Sequence, residues 1–360
     1  MSFSFSQNRE VFEIILDGLT DAILVVDHSQ EIIFANKAVR ELFNLKLDPV
    51  ERGVMEVVRN HQISEVITRT IETGKATKEE IRLSVANSQG PNRSIVLSVD
   101  AEPLNGEIKG SYIRVILRNE TDRVETEQVR RDFVANASHE LRTPLSIING
   151  YIENLSDGAL ENKDLAIRFL SVMKKHGDRI ARIVEDMLTI SKFESPTQDP
   201  TKAGIFDLQG CATDVIERLQ TPAEEKQGKL EIILVGRDAM IAGDRFYWDQ
   251  IFFNLIENAL KQNLRPDLHV RVKFVDLGDT FEVSIIDDGV GIPQADLPFI
   301  FKRFYRVEKH HSKEIKGTGL GLSIVKRAVE SHGGTVTVRS IPGVETAFVI
   351  TVPKGKLPGN

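Results

Sequence analysis

The sequence predicts a multidomain α+β chain: a small α/β domain, an antiparallel helical hairpin that forms a four-helix bundle in a dimer, and an α/β sandwich. Three observations predict it. The 360 residues exceed one ordinary core and suit two or three domains. The hydrophobic period changes from strand-like to heptad-like at Thr121. From about residue 205 onward, helical and strand patterns alternate.

Composition narrows the class. Hydrophobic residues make up 41% and charged residues 28%, values normal for globular domains. A net charge of −7 argues against nucleic acid as a partner. Cys211 is the single cysteine, so no internal disulfide staples the fold. The longest apolar runs, at 23–26 and 251–253, fall far short of the roughly 18–20 residues that span a bilayer. Residues 1–10 lack a basic stretch followed by an apolar one, so no signal peptide is expected. Two readings stay open, a cytoplasmic protein or the cytoplasmic part of a membrane receptor. Any membrane contact is expected only through an upstream segment absent from this chain.

The first domain is expected over 9–120. Residues 22–27 and 31–34 are β-rich and flank the turn His28-Ser29-Gln30; residues 36–45 have helical spacing. Runs at 79–86, 94–101 and 110–117 read as strands, with turns at 87–92 and at Asn105-Gly106. A small antiparallel sheet with helices on one side follows. The hairpin is expected over 121–195. Val134, Leu141, Ile148 and Leu155 recur every seven residues, flanked by Ala137, Leu145 and Ile152. After a loop at 156–162, Phe169, Met173, Ile180, Ile183, Met187 and Ile190 follow three- and four-residue steps. A lone hairpin cannot bury both sides of such a stripe, so a homodimer is expected. Residues 195–204 read as a linker. The sandwich is expected over 203–356, with helices at 208–227, 244–262 and 320–331 and strands at 230–235, 270–275, 281–287, 335–340 and 347–352. These make a mixed sheet layered on helices.

Four segments carry chemistry. In Ser138-His139-Glu140-Leu141-Arg142-Thr143-Pro144, taking Val134 and Leu141 as seam positions turns His139 away from the seam. Thr143 lies one turn further on the same face. Pro144 is expected to bend the helix beyond the histidine. An exposed imidazole beside a carboxylate and a hydroxyl is suited to nucleophilic work. Asn254 and Asn258 share a helix face with Lys261 close by; amide oxygens suit Mg²⁺ and a lysine suits phosphate. Asp287-Asp288-Gly289-Val290-Gly291 ends a strand in a carboxylate and a glycine turn. Gly317-Thr318-Gly319-Leu320-Gly321-Leu322 opens a helix whose terminal amides can hold phosphate. Singly, each has a bland reading as a surface histidine, a solvated helix face or a turn. Together, in this order, they describe one nucleotide site and one exposed nucleophile.

These motifs, with Phe301-Lys302-Arg303-Phe304, resemble the H, N, G1, F and G2 boxes of two-component histidine kinases. The resemblance covers about 121–355, with a PAS-like sensor in front, and the arrangement looks like the cytoplasmic portion of phosphate-sensing sensor kinases. It implies autophosphorylation of His139 from ATP, then transfer to an aspartate on the receiver domain of a response regulator, which the chain would also dephosphorylate. By the same resemblance Glu140 would take the proton from the second ring nitrogen and Thr143 would orient a water for dephosphorylation. Asn258 would hold Mg²⁺, Asn254 and Lys261 the phosphates, and Asp287 the adenine amino group. Gly289 and Gly291 would let the chain pass close to the base. Residues 293–316 would form a lid, with Gly317, Gly319 and Gly321 as its phosphate-side hinge and Thr318 and Leu320 in the same segment.

Three positions depart from the family pattern. Gln262 replaces an aromatic residue near the nucleotide, Glu345 replaces a glycine before Thr346, and Asn119-Glu120-Thr121 replaces the Asp-Ile-Thr that commonly ends the sensor. His176 is expected in the bundle core, Trp248 and Phe252 in the sandwich core, and His310-His311 in a solvated part of the lid. Two rival functions remain: an ATPase or serine kinase on the same nucleotide fold, which leaves His139 unemployed, and a non-catalytic dimeric scaffold, which has no need of Asn258, Asp287 and the glycines.

Overall fold

A computed structural model describes residues 5–85, 93–104, 112–194, 204–235, 239–262, 267–307 and 317–355. The turns expected at 87–92 and 105–106, residues 308–316 of the expected lid with His310-His311 among them, and the linker from 195 to 203 lie outside the described residues. The chain divides into two compact units, Met1–Asp132 and Phe133–Asn360.

In the first unit, β1 (Ala22–Val26), β2 (Ile32–Ala35), β3 (Thr77–Val85), β4 (Arg93–Leu104) and β5 (Tyr112–Asn119) form an antiparallel sheet in the order β2-β1-β5-β4-β3. Alternate residues face the core, as a strand's two-residue period requires: Ala22, Leu24 and Val26 on β1, and Ile113, Val115 and Leu117 on β5. Of the helices α1 (Phe5–Asp17), α2 (Lys37–Leu42), α3 (Val54–Val58) and α4 (His61–Thr73), the last three pack apolar residues into that core. Only α2 is legible in the sequence. Helix α4 is rich in β-branched residues, which lower helix propensity, and its caps compensate. Asn60 Oδ1 accepts from the Ile63 amide at 3.0 Å, and Gly74 ends the helix at φ 62°.

The end of β5 is tied down by polar contacts. Asn119 Oδ1 accepts from the Thr121 amide at 3.1 Å and from its hydroxyl at 2.6 Å. The Thr121 hydroxyl in turn accepts from the Val96 amide at 2.9 Å, and the Glu120 amide donates to the Val96 carbonyl at 2.8 Å. Asn119 is thus an acceptor in a position where the family commonly has aspartate.

The hairpin follows: α5 (Thr121–Ser156), which belongs to the second unit from Phe133 onward, a 3₁₀ turn at Ala159–Glu161, and α6 (Lys163–Glu194). Tyr151 meets Phe169 at 4.9 Å near the turn, and Glu140 meets Arg179 at 2.7 Å further along, so the helices run antiparallel. The expected seam is only partly covered. Ala137 and Leu155 are buried and Leu141 and Ile148 half-buried, whereas Val134, Leu145 and Ile152 are 57%, 52% and 46% exposed. Two helices cover one side of the stripe and leave the other bare. His176 is buried, as its place on the apolar stripe of α6 requires.

Beyond the hairpin come β6 (Ile205–Asp207), α7 (Leu208–Glu224), β7 (Lys229–Val235), β8 (Met240–Ala242), α8 (Arg245–Gln262), β9 (His269–Asp276), β10 (Thr280–Asp287), α9 (Gly321–Ser331), β11 (Thr335–Ile341) and β12 (Glu345–Pro353). The main sheet runs β11-β12-β10-β9-β7, parallel at β7/β9 and antiparallel elsewhere. One face, with Val272, Phe274, Val283, Ile285 and Ile350, packs on α7, α8 and α9 around the fully buried Trp248 and Phe252. Strands β6 and β8, three residues each, pair as a small separate ribbon too short to show a period in the sequence. No helix among the described residues is long and apolar enough to cross a membrane.

Trp248→Ala should cost about 3–5 kcal/mol, because a large buried ring leaves a cavity that a sheet-on-helix core cannot collapse. Urea unfolding followed by circular dichroism measures the loss, and an unchanged midpoint would show that this layer does not hold the unit together.

Candidate functional site

The polar face of α8 sets the site. Asn254, Glu257, Asn258 and Lys261 fall at three- and four-residue steps, so they share one stripe of the helix. The opposite stripe, Trp248, Ile251, Phe252, Leu255, Ile256 and Ala259, is buried in the core. The polar stripe lines a cleft of about 1630 Å³, together with Asp287, Gly291, Gly317, Thr318, Gly319 and Gly321, and with Arg182 and Asp186 from α6. Gln262 also lines it.

Asp287 ends β10 and is only 7% exposed; its Oδ1 accepts from the Gly289 amide at 3.0 Å. It pairs across the ladder with Thr346, a second buried polar residue of the cleft, whose hydroxyl lies 3.0 Å from that of Ser340. A carboxylate and a hydroxyl at the cleft floor can recognise a donor-bearing ring edge.

Two of the expected binding residues do not line the cleft, and others serve it differently from the expectation. Gly289 is buried and spends its amide on Asp287. Leu320 is fully buried against Ile190 of α6 and Ile324, with Phe133 and Phe304 beside them, so it packs the glycine loop onto the hairpin. Gly291 lines the cleft at φ 75°, and a Cβ there would lie 2.5 Å from Pro342 Cα, so its freedom lets the chain pass against the turn after β11. Gly319, at φ 74°, would press a Cβ to 2.8 Å from the Phe304 backbone. At Gly321 a Cβ would strike Asn254 Oδ1, so glycine there lets α9 start against α8. Asn254 Nδ2 donates to the Gln250 carbonyl at 2.8 Å. Glu345, the departure before Thr346, accepts from Arg271 at 3.1 Å, while Gly343 supplies the turn at φ 77°.

His139 is exposed on α5. Thr143 is one turn on, and its hydroxyl donates to the His139 carbonyl at 3.3 Å. Glu140 accepts from Arg179 Nη2 of α6 at 2.7 Å, a half-buried pair. No local motif marks Arg179, Arg182, Asp186 or Thr346, and the sequence reading missed all four; only folding brings them to these sites.

The electrostatics follow from burial. Lys261 pairs with Glu257 at 2.6 Å, and Arg182 reaches the same carboxylate at 3.5 Å. Desolvation lowers the Lys261 ammonium below the usual lysine value, while the Glu257 carboxylate opposes that shift. Asp186 accepts from the Thr318 hydroxyl at 2.7 Å, and desolvation lifts its carboxyl above the ordinary value.

A raised carboxyl means that the folded chain holds the proton more tightly than the unfolded one. That stabilisation is complete below the ordinary value of 3.8 and is lost as pH rises through the lifted value. Asp186→Asn keeps an acceptor for Thr318 without the charge. Its urea midpoint should therefore exceed the parent's near pH 8, and the gap should close toward about pH 4. A gap independent of pH would remove the buried charge from the account.

The family described as histidine kinase-, DNA gyrase B- and HSP90-like ATPase matches residues 243–356. The His Kinase A phospho-acceptor domain matches 129–196, and the PAS fold matches 11–106. Sensor histidine kinase WalK of Bacillus subtilis is 32% identical over 344 residues, covering 93% of this chain and 54% of the relative. A WalK sensor kinase of Staphylococcus aureus is 38% identical over 244 residues, 67% of this chain and 58% of the relative. The chain thus spans about half the length of the curated relatives it matches. Histidine kinase ThkA, solved in complex with response regulator protein TrrA, shares the fold at 18% identity and a TM-score of 0.50, covering 98% of both chains. With three domain families in this order and these relatives, the chain belongs to the sensor histidine kinases of two-component systems.

Proposed function

We propose that the chain is an ATP-dependent protein-histidine kinase with a sensor domain at 9–120, a phosphoacceptor and dimerisation hairpin at 121–195 and a catalytic domain at 203–356. One observation carries the reading: the polar stripe of α8, the buried Asp287 and the glycine loop converge on one cleft, while His139 stands exposed on the hairpin. A ring nitrogen of His139 attacks the terminal phosphorus, the bond to the β,γ-bridging oxygen breaks, and ADP leaves. Glu140 takes the proton from the other ring nitrogen, which keeps the attacking lone pair available. Asp287 receives the adenine amino group, and Asn254 and Lys261 hold phosphate oxygens.

Asn258 lines the cleft and carries an amide oxygen of the kind that suits a hard cation, and Mg²⁺ would supply charge neutralisation on the phosphates. The phosphoryl group then passes to an aspartate of a response regulator, a partner class supported by the ThkA complex. Thr143, one turn from His139 on the same helix, would hold the water that hydrolyses the regulator's aspartyl phosphate, releasing inorganic phosphate; its hydroxyl at 3.3 Å from the His139 carbonyl supports that reading. The bare row of Val134, Leu145 and Ile152, with Ile167, Leu170, Val184 and Leu188 on α6, supports pairing with a second copy.

With γ-labelled ATP the chain should take up acid-labile, base-stable label. His139→Ala should take up none while binding ATP with parental affinity, because the nucleophile is no part of the cleft. Label on the alanine variant would sink the assignment.

Asp287→Ala should weaken ATP binding by about tenfold to a hundredfold, the worth of a lost buried hydrogen bond. Calorimetry that finds parental affinity would rule out this floor of the cleft as the adenine site.

A further inference from the structure

A second cavity of about 430 Å³ lies beside the main cleft, along α6. The two share Arg182, Lys261, Gly317 and Thr318, so they are continuous. The rest of its wall includes Lys174, Lys175 and Arg179, with Asp178 as the acidic residue among them. Cations dominate this wall although the chain as a whole carries a net charge of −7. A groove whose lining carries one sign of charge between low-dielectric walls concentrates the opposite charge.

Its two ends are chemically distinct. At one end Lys261, held at 2.6 Å by Glu257, belongs to the polar stripe of α8. At the other, Arg179 holds Glu140, the residue next to His139, at 2.7 Å. Arg182 stands between them, three residues along α6 from Arg179. Its guanidinium approaches Glu257 at 3.5 Å with 49% of the side chain still exposed. Such a half-solvated ion pair contributes little and exchanges readily. A guanidinium offers a planar fork that matches two phosphate oxygens at once, a stronger contact than the one it would give up. If Arg182 leaves, Glu257 still has Lys261 as its partner.

We propose that this groove is a phosphate subsite for the terminal phosphate of a nucleoside triphosphate held in the main cleft, with Arg182 as the cation that the hairpin contributes. The proposal rests on the reading of the main cleft as a nucleotide site and adds a ligand from α6 that the catalytic domain alone lacks. Arg182 transfers no proton. It draws charge off the terminal phosphate while the phosphorus–nitrogen bond to His139 forms and the electron pair of the breaking bond goes to ADP. A diphosphate has no group for this subsite, so Arg182 discriminates triphosphate from diphosphate.

The test measures binding of a non-hydrolysable ATP analogue and of ADP, with Mg²⁺, to the full chain by calorimetry. The parent, Arg182→Ala and Arg182→Lys are compared, with circular dichroism to check folding. Arg182→Ala should lose about tenfold or more in triphosphate affinity and keep ADP affinity, the size expected for a charge-assisted contact. Arg182→Lys should recover part of the loss. Autokinase rates at saturating ATP should fall in the same order. An unaltered ratio of triphosphate to diphosphate affinity in Arg182→Ala overturns the subsite while leaving the nucleotide cleft intact. That includes equal losses for both ligands, which would reflect only a disturbed Glu257. A parent that binds neither nucleotide overturns both readings.

Discussion

Helix α8 has to serve two masters with one 3.6-residue period, and the rest of the ATPase-like domain is arranged around that constraint. Its apolar side anchors the sheet through Trp248 and Phe252, the latter meeting Phe274 of β9 at 6.0 Å. Because that side is locked by packing, the other side presents Asn254, Glu257, Asn258 and Lys261 in a fixed row. A slip of one residue would turn an amide into the core and an aliphatic side chain into the cleft. The same packing explains why polar groups can sit half-buried beside an apolar core without loosening it.

The loop that faces this row is held by close approach. Gly319 and Gly321 allow backbone and helix start to lie against Phe304 and Asn254, where any Cβ would collide. Leu320 lies between them in sequence and is driven into the apolar cluster with Ile190 and Ile324. Thr318 adds a polar clasp to Asp186. A segment that reads as a phosphate loop is therefore also the seam between the α/β sandwich and α6. Burial of Asp186 disfavours its charge, while the Thr318 hydrogen bond favours it, and burial is the larger effect.

Charge in the cleft is balanced locally. Glu257 is shared between Lys261 and Arg182, so neither of these two cations stands alone in the cleft. Glu140 is likewise matched by Arg179 across the hairpin. Carboxylates that steady cations in one arrangement leave those cations available when a more strongly charged ligand arrives, because half-exposed ion pairs are cheap to exchange.

Much of this was legible in the order of the residues. The heptad spacing of α5 and α6, the five strands of each large sheet, the exposed His139 with Thr143 one turn on, and the row from Asn254 to Lys261 all follow from period and residue type, which act locally. Short or β-branched elements escaped: α3, α4, β6 and β8 owe their form to caps and to the layer they pack on, and α1 was missed with them. Only the tertiary structure decided that Leu320 and Gly289 leave the cleft wall, that Gly291 serves Pro342, and that Thr346 joins Asp287 at the floor. It also decided that Arg179, Arg182 and Asp186, three ordinary charges on a helix far along the chain, meet Glu140, Glu257 and Thr318. Local spacing fixes which face of a helix a side chain occupies. What that face meets depends on contacts between residues dozens to more than a hundred positions apart, and no local pattern encodes them.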